Sequence, residues 1–139
     1  MLWIIGGVLL AVAAAAYYVF ATQRQPAVLT SDSGMKLLVA GRSGGGMDAR
    51  LSGRLTDVRG CLGIESGSRQ YVAVWPSGTA PLSRGRVRLP DDSVGALGEL
   101  VVGGGGFIEG KRYPGSVPTI PESCAGEEIF LFNTVNLVN

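Results

Sequence analysis

Residues 2–21, LWIIGGVLLAVAAAAYYVFA, run for twenty positions without a charge, and no later stretch repeats that texture. That length is close to the ~20 apolar residues a helix needs to cross a bilayer. The pattern therefore predicts a transmembrane signal-anchor helix over residues 1–22. A polar stretch rich in Gly, Ser, Pro and Thr follows, and residues 23–47 read as a flexible stalk in which MKLLVAG could make a short strand.

From Ala49 the chain changes to short alternating runs broken by turn residues. ARLSGRLTDV sets Leu51, Gly53 and Leu55 on one side and Arg50, Ser52, Arg54 and Thr56 on the other. CLGIES and SRQYVAVWP come next, with Gly67-Ser68 between them as a tight hairpin turn. In RVRLPDDS the arginines face one way and Val87 and Leu89 the other. LGELVVGGGGFIEG reads as a long strand bent by glycine, as at the corner of a small barrel. The last run, IFLFNTVNLV, is apolar on both faces at its start and so predicts a central strand. No stretch after the anchor keeps a helical period. The expectation is an all-β domain over residues 48–139, an OB-like closed or partly open barrel of five to seven strands, with a sandwich as the alternative. Phe107, Phe130 and Phe132 are assigned to its core.

Composition adds compartment to this picture. The N-terminal segment lacks the charged leading region and short apolar core of a signal peptide, so an uncleaved anchor is favoured over a cleaved signal ending at Val19-Phe20-Ala21. Trp3, Tyr17 and Tyr18 fit an aromatic belt, and Gly7, Ala11 and Ala15 a close helix-packing face. Arg24 alone would draw the following domain to the cytoplasm by the positive-inside rule. The two cysteines, Cys61 and Cys124, argue the other way. In a chain with no His they cannot complete a zinc site of the usual ligands, which leaves a disulfide or, alternatively, two reduced buried thiols. A disulfide would close a loop of about sixty residues, stabilise the domain by roughly 3 to 5 kcal/mol and require an oxidising compartment. The domain is accordingly expected outside the cytoplasm.

Several chemistries are set aside on the residues themselves. The spacing from Gly105 to Lys111 fits a phosphate-binding loop, but Arg112 stands where Ser or Thr should hold magnesium, and Tyr113-Pro114-Gly115 cannot open a helix. GRSGG, around Ser43, fits a nucleophile elbow but has no His as base; a Ser-Lys pair with Lys36 or Lys111 would need a buried lysine. Asp91-Asp92 and Glu127-Glu128 are neighbours, and neighbours on a strand point to opposite faces, so neither pair makes a dyad. No nucleotide, cofactor, metal or catalytic residue is expected. A net charge of +1 also disfavours nucleic acid, since tracking a phosphate backbone needs a clear basic excess.

Two surface features remain as candidate binding elements. Arg84, Arg86 and Arg88 would form a stripe if their run is extended, suited to anionic headgroups or an acidic partner, or else guarding an edge strand. Tyr71 and Trp75 share strand parity and would make either a stacking platform or core packing.

From Gly53 to Asn136 the chain resembles a group of small exported or lipid-anchored proteins of unknown function from high-GC Gram-positive bacteria. The likeness is carried by GRLTDVRGCLGIES, YVAVWPSGT, LGELVVGGGG and CAGEEIFLFNTV, and position by position by Gly60-Cys61-Leu62, Trp75-Pro76-Ser77-Gly78-Thr79 and Cys124. Ten arginines against two lysines agree with a GC-rich genome. The resemblance implies a Cys61–Cys124 disulfide on a small β-barrel and implies no activity. This chain lacks the lipid-bearing cysteine of that group, so a protein anchor would replace the lipid. The function expected is a non-enzymatic binding or accessory module at the cell envelope with a protein partner; the alternative is a small-ligand receptor in the barrel mouth, walled by Tyr71 and Trp75.

Overall fold

Period-two alternation becomes strand after strand along the chain. The structure, a computed structural model, describes residues 25–41, 48–108 and 116–138. Among these residues the strands are β1 (Ala27–Thr30), β2 (Lys36–Val39), β3 (Ala49–Val58), β4 (Cys61–Ser66), β5 (Arg69–Trp75), β6 (Ala80–Pro81), β7 (Arg86–Arg88), β8 (Val94–Ala96), β9 (Leu100–Ile108) and β10 (Ile129–Leu137), with one 3-10 turn at Glu122–Cys124.

β3, β4 and β5 form an antiparallel meander; the β4–β5 loop is Gly67-Ser68, with Gly67 at φ +61, where a two-residue hairpin wants glycine. β5 then pairs with β10 in parallel, β10 with β9 antiparallel, and β9 returns antiparallel to β3, so the sheet closes on itself. β4 and β5 pair only at Gly63–Ser66 and Arg69–Val72. Where they diverge, β2 fills the notch, pairing Lys36 with Cys61 of β4 and Leu38 and Val39 with Val74 and Trp75 of β5. The result is a closed six-stranded barrel with β1 as an extra strand on β2.

That arrangement corrects the stalk expected over residues 23–47 where its residues are described, whereas residues 23–24 and 42–47 lie outside the described residues. Residues 27–39 are a hairpin built into the barrel, with Leu37, Leu38 and Val39 buried. The barrel thus begins well before residue 48. The anchor expected over residues 1–22 lies outside the described residues; among those described, no helix is long and apolar enough to cross a membrane.

Alternation along the wall strands feeds two cores. Leu37, Val39, Leu51, Leu55, Leu62, Ile64, Ala73, Trp75, Phe130 and Phe132 point into the barrel. Leu38, Val58, Cys61, Val72, Val74, Ile129 and Leu131 take the other face of the same strands and pack outside the wall against Val117, Ile120 and Cys124. Such a two-faced burial explains why the start of β10 is apolar at every position. β6, β7 and β8 form a separate small sheet that lies between β5 and β9 in the chain, and Val87 of β7, with Leu89 just after it, joins the barrel core.

Gly103 and Gly105 in β9 let β10 approach closely. A Cβ on Gly103 would run into the Thr134 carbonyl and the Phe132 ring, and one on Gly105 into the Leu131 carbonyl. Glycine here makes room for an aromatic side chain and a register shift in β10 between Phe132 and Thr134.

Candidate functional site

Cys61 opens β4 and Cys124 ends the 3-10 turn; both are fully buried, and they are joined by a disulfide across 63 positions, with their Cα atoms 6.3 Å apart. The bond fastens residues 116–128 to the outside of the barrel wall, where Val117 and Ile120 complete the second core. An ion pair between Arg59 Nε and Glu127 Oε1, at 3.0 Å, lies beside it on the surface. Reduced thiols, the other use open to two cysteines, do not occur here.

Tyr71 and Trp75 do share a side of β5, but that side is the barrel interior, where they are 8% and 0% exposed. Trp75 stacks on Phe132 with centroids 5.3 Å apart and donates its indole N–H to the Leu62 carbonyl at 3.2 Å. Tyr71 lies 5.3 Å from the Phe107 ring. The stacking platform is therefore corrected to core packing, as the filled interior leaves these rings no open face. Phe130 and Phe132 are core as expected. Phe107 is not: its inward parity places it at the barrel's end, 44% exposed, with its rim against Tyr71 and Phe130.

The arginine stripe is shorter than expected. Arg86 and Arg88 lie on the exposed face of β7, whereas Arg84 sits in the preceding turn at φ +62 and so leaves the extended run. Arg86 is further turned back onto Ser83, donating from Nε to its carbonyl at 3.1 Å and from Nη2 to its hydroxyl at 3.2 Å. Opposite them across β8 stand Ala96 and Val94.

A feature not foreseen in the sequence is a surface cleft of about 640 Å³ beside the register shift in β10. One wall is β10 itself from Leu131 to Asn136; the facing wall is Ala40, Gly41, Pro76, Ser77, Pro90 and Asp91. Asp91 is held below the ordinary carboxylate range, first by the hydroxyl of Ser93 and then by the Ser93 amide, both donating to Oδ1. Thr134 accepts the Gly104 amide on its hydroxyl at 3.3 Å. No sequence signal marks this cleft, because it exists only where β5 ends while β10 continues.

The phosphate-loop spacing begins inside β9, with Gly105 and Gly106 in the ladder to β10, rather than in a loop opening a helix. Lys111, Arg112 and Ser43 lie outside the described residues. Among the described residues no cluster of three His, Cys, Asp or Glu side chains could hold a metal ion. No family model matches the chain, and neither a curated protein nor a solved structure matches it.

Proposed function

We propose that this chain is an OB-like barrel held at the outer side of a membrane by one N-terminal span, serving as a non-enzymatic binding module for a protein of the cell envelope. The observation that carries the proposal is the buried Cys61–Cys124 disulfide, since such bonds form and persist in oxidising compartments. The charge-free residues 2–21 supply the span. The ring order supports the OB-like assignment: a three-strand meander, then a parallel pairing of its last strand with the final strand of the chain's barrel, is a five-stranded Greek-key ring with β2 inserted. The small sheet of β6, β7 and β8 occupies the connection between the two halves.

A protein partner is favoured over a ligand in the barrel mouth because the interior is filled by Trp75, Phe130, Phe132 and their neighbours. A chain without His also lacks the commonest general base. The likeness to small exported or lipid-anchored proteins of high-GC Gram-positive bacteria belongs to the same proposal.

The test is thiol labelling of intact cells with a membrane-impermeant maleimide. Labelling that requires prior reduction but not lysis supports the outward-facing domain. Labelling that requires lysis as well as reduction, or lysis alone, places the domain inside and overturns the reading.

A further inference from the structure

The two ends of the barrel are unlike. β10 runs parallel to β5 and continues past Trp75, so Leu137 and Val138 lie at the end where β5 stops, beside the start of β9. Ala27 sits at this end too, since it pairs with Val39 and Val39 with Trp75. The other end of the β9–β10 ladder holds Ile108 and Ile129.

The small sheet lies over the first end. Val87 of β7 points into the core, a Cβ on Gly95 of β8 would meet Leu137 and Leu55, and β6 lies against β1. The same alternation turns Arg86, Arg88 and Val94 outward, where all three are exposed.

Among the described residues six large apolar side chains are exposed, and four of them, Val94, Leu97, Leu100 and Val138, gather at this end. The Val138 amide donates to the Leu100 carbonyl at 2.9 Å. A turn closed by the Glu99 amide on the Ala96 carbonyl brings Leu97 next to Leu100, and the Leu97 side chain lies over Gly85. Four arginines border the patch: Arg54 pairs with Leu100, Arg88 with Val94 and Arg86 with Ala96, and Arg84 precedes Gly85. They stand against three carboxylates, Asp91, Asp92 and Glu99, a balance of one positive charge. Asp91 is drawn onto Ser93 and Glu99 onto the Ala96 amide, whereas an arginine reaches outward on a long stem. Apolar side chains bordered by guanidinium groups suit the headgroup layer of a bilayer, where the first meet the acyl boundary and the second the phosphates.

Position selects the bilayer over a protein as the occupant. Only residues 22–26 separate the charge-free segment from Ala27, and five extended residues span about 17 Å. β10 runs about 30 Å away from this end at ~3.3 Å per residue, so a link that short keeps the β1 end nearest the membrane.

We propose that the β1 end of the barrel rests on the anionic surface of the membrane that holds the chain, with Leu97, Leu100 and Val138 in the headgroup layer and Arg84, Arg86 and Arg88 on lipid phosphates. This goes beyond the protein-binding reading and rests only on its membrane span.

The test uses the full, disulfide-bonded chain, one per nanodisc, in discs of phosphatidylcholine alone and in discs with about 30% phosphatidylglycerol. A nitroxide on the lipid headgroup is the probe, read by the relaxation of Ile, Leu and Val methyls. Leu97, Leu100 and Val138 are expected to relax faster than Ile108 in both, and about threefold faster again in the anionic discs. Arg86→Glu with Arg88→Glu, or about 0.5 M salt, should remove that second increase. Equal relaxation in the two lipids, no effect of the double variant, or strongest relaxation at Ile108 overturns the proposal. So does an increase seen only when two chains share a disc, which would make the patch a contact between copies. A chain that floats free of lipid at high salt has no span, and the membrane reading falls together with this one. A chain that stays in the disc while its patch ignores anionic lipid overturns this proposal alone.

Discussion

Gly103 and Gly104 are adjacent in β9, yet they answer to different neighbours. A methyl on Gly103 points at the Thr134 carbonyl and the Phe132 ring, whereas one on Gly104 finds its nearest atoms at 3.4 and 3.8 Å, an ordinary contact. Gly103→Ala should therefore cost about 1 to 3 kcal/mol, or more where backbone must move, and Gly104→Ala should be near neutral. Urea midpoints of the two variants give the comparison, and equal midpoints would refute the packing argument. Asp91 offers a pH-dependent counterpart. Its folded-state acidity is raised by the Ser93 hydroxyl and amide, so its contribution is present above the ordinary carboxylate range and is lost as pH falls through the depressed folded value. Asp91→Asn should lower the denaturation midpoint slightly at about pH 7 and leave it unchanged at about pH 2.

At the same scale, parity was legible and direction was not. The alternation in β5 shows that Tyr71 and Trp75 share a side, but which side is interior depends on Leu62, Ile64 and Phe132, which reach them from other strands. Arg84 failed as a strand residue for a local reason, since Arg84-Gly85 turns with both φ positive. Phe107 has the parity of a core residue and the address of a rim residue, a distinction that only the barrel's end defines.

Among the elements, β2 is the one whose role reaches furthest beyond its length. Four residues bond to β1, β4 and β5, and Leu38 is fully buried in the outer core while Leu37 and Val39 enter the inner one. Leu38→Ala should destabilise the barrel by about 2 to 5 kcal/mol, measured by thermal or urea unfolding. A loss under about 0.5 kcal/mol would mean that the hairpin is an appendage rather than part of the wall. The sequence shows β3, β4, β5, β9 and β10 plainly because each is long enough to display a period. β1 and β2 are four residues each, set among Ser, Gly and Pro, and their burial comes from a notch made by distant strands. The β10 cleft was invisible for the same reason, as it depends on the difference in reach between β5 and β10.

For the whole molecule, the disulfide joins the two cores' common wall to the segment that covers it. Closing a loop of this length is worth about 4 kcal/mol in the chain-entropy view. The double variant Cys61→Ser, Cys124→Ser should lose an amount of that order, with the earliest rise in hydrogen exchange in residues 116–128, where the second core would be released. Uniform loss of protection across the barrel would show instead that the bond supports the ring itself.

The pairing of β5 with β10 and of β3 with β9 joins remote parts of the chain, and topologies of this kind fold slowly. Until β10 has docked, Cys61 stands at the head of β4 with its eventual partner far away. A chain with two cysteines in all, however, contains no wrong partner for either of them. Misoxidation can then occur only between molecules, so an isomerase has nothing to rearrange within one chain, and dilution alone should be enough to make refolding faithful.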